Sequence, residues 1–139
     1  MKFFSQEMLD ELKKRTETDP ATQKAVEGVT IGVILVANDC PGNEDRALSV
    51  DITDGKFREL TMQVKPAPSD LGTAAFDQNK YIVKVGGDYS IIGEVLTGKM
   101  AVITALDKLN VEGDFNKLVL NLGGVQSVID VVSMLPSEI

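Results

Sequence analysis

The sequence predicts an α+β fold, and three observations carry that prediction. The run Val29–Val36 is almost wholly apolar and β-branched, as a strand buried on both faces should be. Beyond it, two alternating stretches flank Asp54-Gly55, the strongest short hairpin signal. From Asp88 onward the apolar period changes from two residues to the helical spacing i, i+3, i+4. Two helices, a strand meander, and then helices around a last strand make one α+β domain over residues 1–139. A chain of 139 residues with 43% apolar and 25% charged residues is a soluble globular protein with enough core to stand without staples.

The elements follow in order. Ser5 caps a first helix, with Phe4 and Leu9 as its hydrophobic staple and Met8, Leu9 and Leu12 as its stripe. Asp19-Pro20 opens a second, short helix, which Gly28 ends. Val29–Val36 is the first strand. Arg46–Thr53 places Leu48, Val50 and Ile52 on one face, and Phe57–Val64 does the same with Leu60, Met62 and Val64. The breaker-rich Lys65-Pro66-Ala67-Pro68-Ser69 begins a crossover, and Tyr81–Val85 is the next strand. Ile91, Ile92, Val95 and Leu96 make one helical stripe, and Val102, Ile103 and Leu106 the next. Leu109–Gly113 is a short strand. Asp114 caps a helix with Phe115, Leu118, Val119 and Leu122 on one face; Gly123-Gly124 breaks it, and Val125, Val128, Ile129 and Val132 stripe a final helix.

Composition removes several kinds of chemistry. With no histidine there is no His-based triad, no His-metal site and no ordinary general base near neutral pH. The net charge of −7, without a basic run, argues against nucleic acid and against docking on anionic membranes by electrostatics alone. The single Cys40 forms no internal disulfide. The opening MKFFSQEMLDEL has too short an apolar run for a secretory signal, and no stretch approaches membrane-spanning length. A cytoplasmic protein is the expectation.

Four near-motifs dissolve on inspection. Gly93–Met100, GEVLTGKM, is one hydroxyl short of a phosphate-binding loop, but Val95 and Leu96 sit where that loop should be and Met100 replaces the metal-binding hydroxyl. A helix ending at Gly98 explains it better. Asp51 and Asp54-Gly55 lack oxygen ligands at alternate positions, so a hairpin turn wins over a calcium loop. Cys40 lies in the turn-rich Asn38–Asn43, where Asp39 beside it works against a depressed thiol pKa. Of the pair Glu112 and Asp114, the latter is better explained as a helix cap. An enzyme reading has no residue to stand on, and no cofactor or metal is called for.

What remains is a set of short apolar-faced helices against about five strands, which a filled core and a ligand cavity satisfy equally. A family resemblance speaks to that choice. Ser5–Lys14 with Asp19-Pro20 resembles the opening helices of bacterial and archaeal sterol-carrier-like proteins. Asp88-Tyr89, Val95–Met100, Ala105-Leu106 and Leu109–Asp114 resemble that family's most recognisable run: a helix ending in Leu-x-Gly-Lys, a second helix, and a strand ending in Lys-Val-x-Gly-Asp. The likeness to the sterol carrier protein type 2 family spans nearly the whole chain in order.

That resemblance implies an α/β sandwich with a five-stranded, mostly antiparallel or mixed sheet and helices packed on one face. It implies an apolar tunnel for a fatty acyl chain, phospholipid or sterol, with no catalytic residue and with transient membrane contact left open. By element and face, the tunnel residues would be Leu96, Met100, Ile103, Leu106, Phe115, Leu118, Leu122, Val125, Val128, Ile129 and Val132, with a helix over 99–107 on its border. Two departures stand out: Asp107 where the family often has Gly, and an irregular Lys65–Asn79 where a tunnel wall is expected. A lipid carrier or sensor is the first reading. An interaction or regulatory module with its tunnel closed by side chains is the alternative, and an acid-catalysed hydrolase a distant third.

Overall fold

A computed structural model describes residues 3–135, apart from the side chains of Val102 and Ile103. The first helix, α1 (Gln6–Thr18), starts where Ser5 Oγ accepts the Met8 N–H at 3.2 Å, and it buries Met8, Leu9 and Leu12. Ahead of it, Phe3 and Phe4 are both buried. Phe4 sits at φ 57°, a backbone region costly for a bulky residue. It is held there by two bonds, since its carbonyl accepts Arg46 Nη1 at 2.8 Å and its N–H meets Met8 Sδ at 3.2 Å. In α2 (Pro20–Ala25), Asp19 caps by accepting from the Thr22 N–H and hydroxyl.

Five strands form one mixed sheet in the order β3-β2-β1-β4-β5. They are β1 (Ile31–Cys40), β2 (Glu44–Thr53), β3 (Lys56–Pro66), β4 (Val83–Asp88) and β5 (Asn110–Gly113). Only the central β1–β4 pair is parallel. The β2–β3 hairpin turns on Asp54 and Gly55, both at positive φ (51° and 78°), as a tight primed turn requires. Five further helices follow β4 or β5 as α3 (Tyr89–Leu96), α4 (Val102–Ala105), a 3-10 turn (Leu106–Lys108), α5 (Phe115–Leu120) and α6 (Leu122–Ser133).

The helices pack on one face of the sheet. Ile31, Val33, Leu35 and Ala37 of β1 join that core, with Leu48, Val50, Ile52, Val83 and Val85 from neighbouring strands. The alternate residues Ile34 and Val36 join a second, smaller cluster on the opposite face with Ala47, Leu71 and Tyr81. β1 is therefore buried on both sides, as its unbroken apolar run demands. The cover of this second face is the irregular crossover after β3, so the expected tunnel wall at 65–79 lies on the wrong side of the sheet to be one.

Several boundaries differ from expectation. β1 begins at Ile31 and runs on to Cys40 through a register shift after Ala37, where Asp39 turns at φ 57° and its N–H is taken by Asp45 Oδ1 at 3.0 Å. β4 starts at Val83, two residues late, and extends to Asp88 on the side of β1. The helix expected over 99–107 is only the four residues of α4 and the following 3-10 turn. The break assigned to Gly123-Gly124 falls instead at Asn121, whose Nδ2 donates to the Lys117 carbonyl at 2.8 Å. Gly124 lies inside α6 for a packing reason: a Cβ there would come within 3.2 Å of Ile31 Cδ1.

Candidate functional site

The helix-face core is not completely filled. Between β1, β4, α3, the 3-10 turn, α5 and α6 lies a void of about 30 Å³ whose walls, among the described residues, are all aliphatic. Its floor is Leu35 of β1 and Val85 of β4, which point to the helices because they share parity with Val33 and Val83. α3 supplies Ile92, Val95 and Leu96, spaced so that one helical stripe faces the sheet. Leu106 and Leu109 close one side, and Leu118, Val125 and Ile129 close the rest. A space of this size has room for a water, but a site without polar partners stays dry.

GEVLTGKM now has a structural meaning. Gly98 stands at φ 79° and terminates α3, and the N–H groups of Lys99 and Met100 fold back onto the Glu94 carbonyl at 2.8 and 2.9 Å. Those donors are used by a helix C-terminus and form no anion cradle.

Of the residues expected around a tunnel, Leu96, Leu106, Leu118, Val125 and Ile129 line the void. Val128 and Val132 are buried in the same core but behind its walls, and Met100 and Leu122 are half-buried against it. Phe115 is 52% exposed and stands away from the void. Ile103 lies outside the described side chains. Leu35, Val85, Ile92, Val95 and Leu109 line the void without having been expected there. The signal for the floor was present in strand parity, and that for Ile92 and Val95 in the stripe that also holds Leu96.

Among the described residues no titratable side chain lines the void. Burial pushes the Cys40 thiol up to about 11, and its Sγ donates to the Ala37 carbonyl at 3.4 Å, so it is a packed thiol and a poor nucleophile. Asp114 Oδ1 accepts the Lys117 N–H at 3.1 Å as the α5 cap. Among the described residues no three His, Cys, Asp or Glu side chains converge to hold a metal ion, and no helix is long and apolar enough to cross a membrane. Two larger hollows, of about 460 and 540 Å³, are open surface features with mixed polar walls, such as Glu17, Glu27 and Asp54 in one and Asp51, Asp77 and Lys80 in the other.

No family model matches the chain, and no curated protein matches it. Solved structures do. A crystal structure of sterol carrier protein 2 superposes with a TM-score of 0.70 at 18% identity, over 96% of this chain and 99% of that one. A solution structure of a conserved hypothetical protein from Thermus thermophilus, provisionally described as a sterol carrier protein, gives 0.69 at 17% identity, over 99% and 92%. The apo form of sterol carrier protein 2 from Yarrowia lipolytica gives 0.54 at 9% identity, over 94% and 93%. The chain has the sterol-carrier-like α+β fold.

Proposed function

We propose that residues 1–139 form one sterol-carrier-like domain that binds a single apolar lipid chain between the sheet and α3, α5 and α6, as a carrier or sensor. The observation that carries this reading is the dry, wholly aliphatic void between sheet and helices, in a fold shared with sterol carrier protein 2. A fatty acyl chain, alone or as part of a phospholipid, is the ligand that such walls suit. A dozen methylenes at ~0.8 kcal/mol each offer roughly 10 kcal/mol gross. Ordering the chain and halting its free motion take back a large part of that. Affinity in the micromolar range follows, with little selectivity for the head group, which finds no polar partner in the void. The protein carries out no reaction on the ligand. Delivery involves transient contact with a membrane, and at a net charge of −7 an anionic bilayer is the less favoured surface.

The small size of the void supports a second reading. At about 30 Å³ it is far below the volume of an acyl chain, as in an interaction or regulatory module whose tunnel side chains have closed. Native mass spectrometry of protein purified from its own cells separates the two. Carrier function gives a co-bound lipid mass and uptake of a fluorescent fatty-acyl probe. The closed module gives neither, and a stable protein partner in pull-downs instead.

A further inference from the structure

We propose that the outer edge of β3 is a dimerisation surface, on which a second copy of this chain adds its own β3 antiparallel across a two-fold axis at Met62. The two ends of the sheet are unequal: β5 is a strand of 4 residues, whereas β3 runs for 11, and among the described residues no strand lies beyond it. A long free edge is a template for another strand. Which groups that edge offers follows from one contact. The Ala67 N–H donates to the Asn43 carbonyl at 2.9 Å, so in steps of two Lys65, Gln63, Thr61 and Glu59 turn their backbone groups toward β2. Val64, Met62 and Leu60 turn theirs outward, and among the described residues no other element bonds them. Pro66 stands at an outward position too, where its missing N–H costs no bond to β2.

The strand is complementary to itself in one register. Leu60 and Met62 belong to the helix-face core, while Glu59 and Lys65 lie on the other face, where they reach Tyr81 and Asp70. Setting Met62 opposite Met62 of the second copy puts Leu60 opposite Val64 on either side of the axis, and each pair exchanges two backbone bonds. Val64, 48% exposed in the single chain, then lies against apolar neighbours. On the opposite face the same register sets Glu59 against Lys65 at both ends and Thr61 against Gln63, pairs that favour association. Glu59 and Lys65 each keep an internal partner, yet their side chains are 25% and 40% exposed and open to a second one. Sliding the strands by two residues one way moves Glu59 opposite Gln63. Sliding the other way moves Leu60 opposite Pro66, which has no N–H to give. Charge and proline together select the register, and the bulge beside Arg58 meets Pro66 where the pairing stops.

Sedimentation equilibrium of the parent chain tests this without any substitution. A concentration-dependent dimer is expected, with a dissociation constant that rises with salt because its ion pairs lie at the surface. A chain that stays monomeric up to about 1 mM overturns the proposal and leaves the edge to water or to a strand of another protein. Lys65→Glu sets like charges together at both ends and should weaken association roughly tenfold, whereas unchanged association overturns the register. Cross-linking reads the register directly. Opposed residues of a hydrogen-bonded pair have Cα atoms about 5.5 Å apart, within reach of a disulfide. Met62→Cys should therefore give a disulfide-linked dimer on mild oxidation, while Thr61→Cys, which faces Gln63 of the second copy and not itself, should not. Thr61 is the more exposed of the two, so chance collision favours the control. Linkage that is equal in the two variants, or stronger at Thr61→Cys, overturns the two-fold axis at Met62.

Discussion

The two faces of the sheet are held by different physics. On the helix face, the packing around the void is aliphatic and without direction, while Phe3, Phe4 and Tyr89 fill another part of the same core. On the opposite face a smaller cluster of Ile34, Val36, Ala47, Leu71 and Tyr81 is covered by an irregular crossover, and charged groups fasten that cover. Lys84 is buried at 4% exposure, donates to the Leu71 and Ala74 carbonyls at 2.9 and 2.6 Å, and lies 5.4 Å from the centre of the Phe76 ring. Asp45 accepts from the Ser69 N–H and hydroxyl and from the Asp39 N–H. At the edge, Glu59 receives the Tyr81 hydroxyl and pairs with Lys80 at 2.9 Å. Directional bonds fix an irregular segment in one place, because each has a narrow range of good geometry. Dispersion and apolar burial set no such angle, so a face built from them can repack around a guest. One sheet thus has a locked side and an adaptable side, and the proposed ligand would sit on the adaptable one.

The largest expected effect comes from unlocking the back. Lys84→Met keeps the apolar stem and removes the donor from two carbonyls, as well as the cation over Phe76. Hydrogen bonds to a charged group contribute about 1.5–3 kcal/mol, so a loss of roughly 3 kcal/mol in urea unfolding is expected. A neutral substitution would erase the contrast between the faces. Asp45→Asn should come next, at about 2 kcal/mol near pH 7. Burial alone would raise the Asp45 carboxyl, but the bonds from Ser69 and Asp39 outweigh it and hold the group below its ordinary value of 3.8. A folded pKa below the unfolded one stabilises above the unfolded value, and that stability is lost as pH falls through the folded value. The gap between parent and Asp45→Asn should therefore be full at neutral pH and shrink once pH drops below about 3.9. A gap that persists undiminished at about pH 2 would mean that Asp45 acts by shape and not by charge.

The same division governs how much could be read from the chain. Periodicity and capping report on local backbone and on which side of an element is apolar. The Ser5 and Asp114 caps, the Asp54-Gly55 turn, the doubly buried β1 and the α6 stripe were all legible for that reason. Partnerships between residues distant in sequence leave no such mark. Lys84 sits in a strand pattern as a polar residue at an outward position, and only the return of the crossover over it makes it a pin. The void was half legible. Five expected residues line it because stripe and parity place them, while Phe115 shares the i, i+3, i+4 spacing yet is exposed. Spacing names one face of α5, but of that face only Leu118 is buried, and the helix ends at Leu120 before Leu122 can join it. Glycine was the most ambiguous letter. Gly98 ends a helix, as its position suggested, whereas Gly124 permits close packing against Ile31.

The smallest expected effect is the sharpest test of the adaptable face. Val125→Ile adds one methylene to a residue on the wall of the void. In a filled core such an addition forces side chains off their rotamers and costs about 1–3 kcal/mol. Here the added group has about 30 Å³ to enter, so stability should stay within about 0.5 kcal/mol of the parent. Binding should respond in the opposite sense, because space taken by the protein is denied to the ligand. Displacing one methylene of an acyl chain forfeits about 0.8 kcal/mol, which is roughly a fourfold rise in Kd for a fluorescent fatty-acyl probe. A destabilisation of the size seen in filled cores would mean that the helix face is as rigid as the back, and the case for a ligand between sheet and helices would fall with it. An unchanged stability together with weakened binding would locate the guest beside α6, where the aliphatic walls leave room for it.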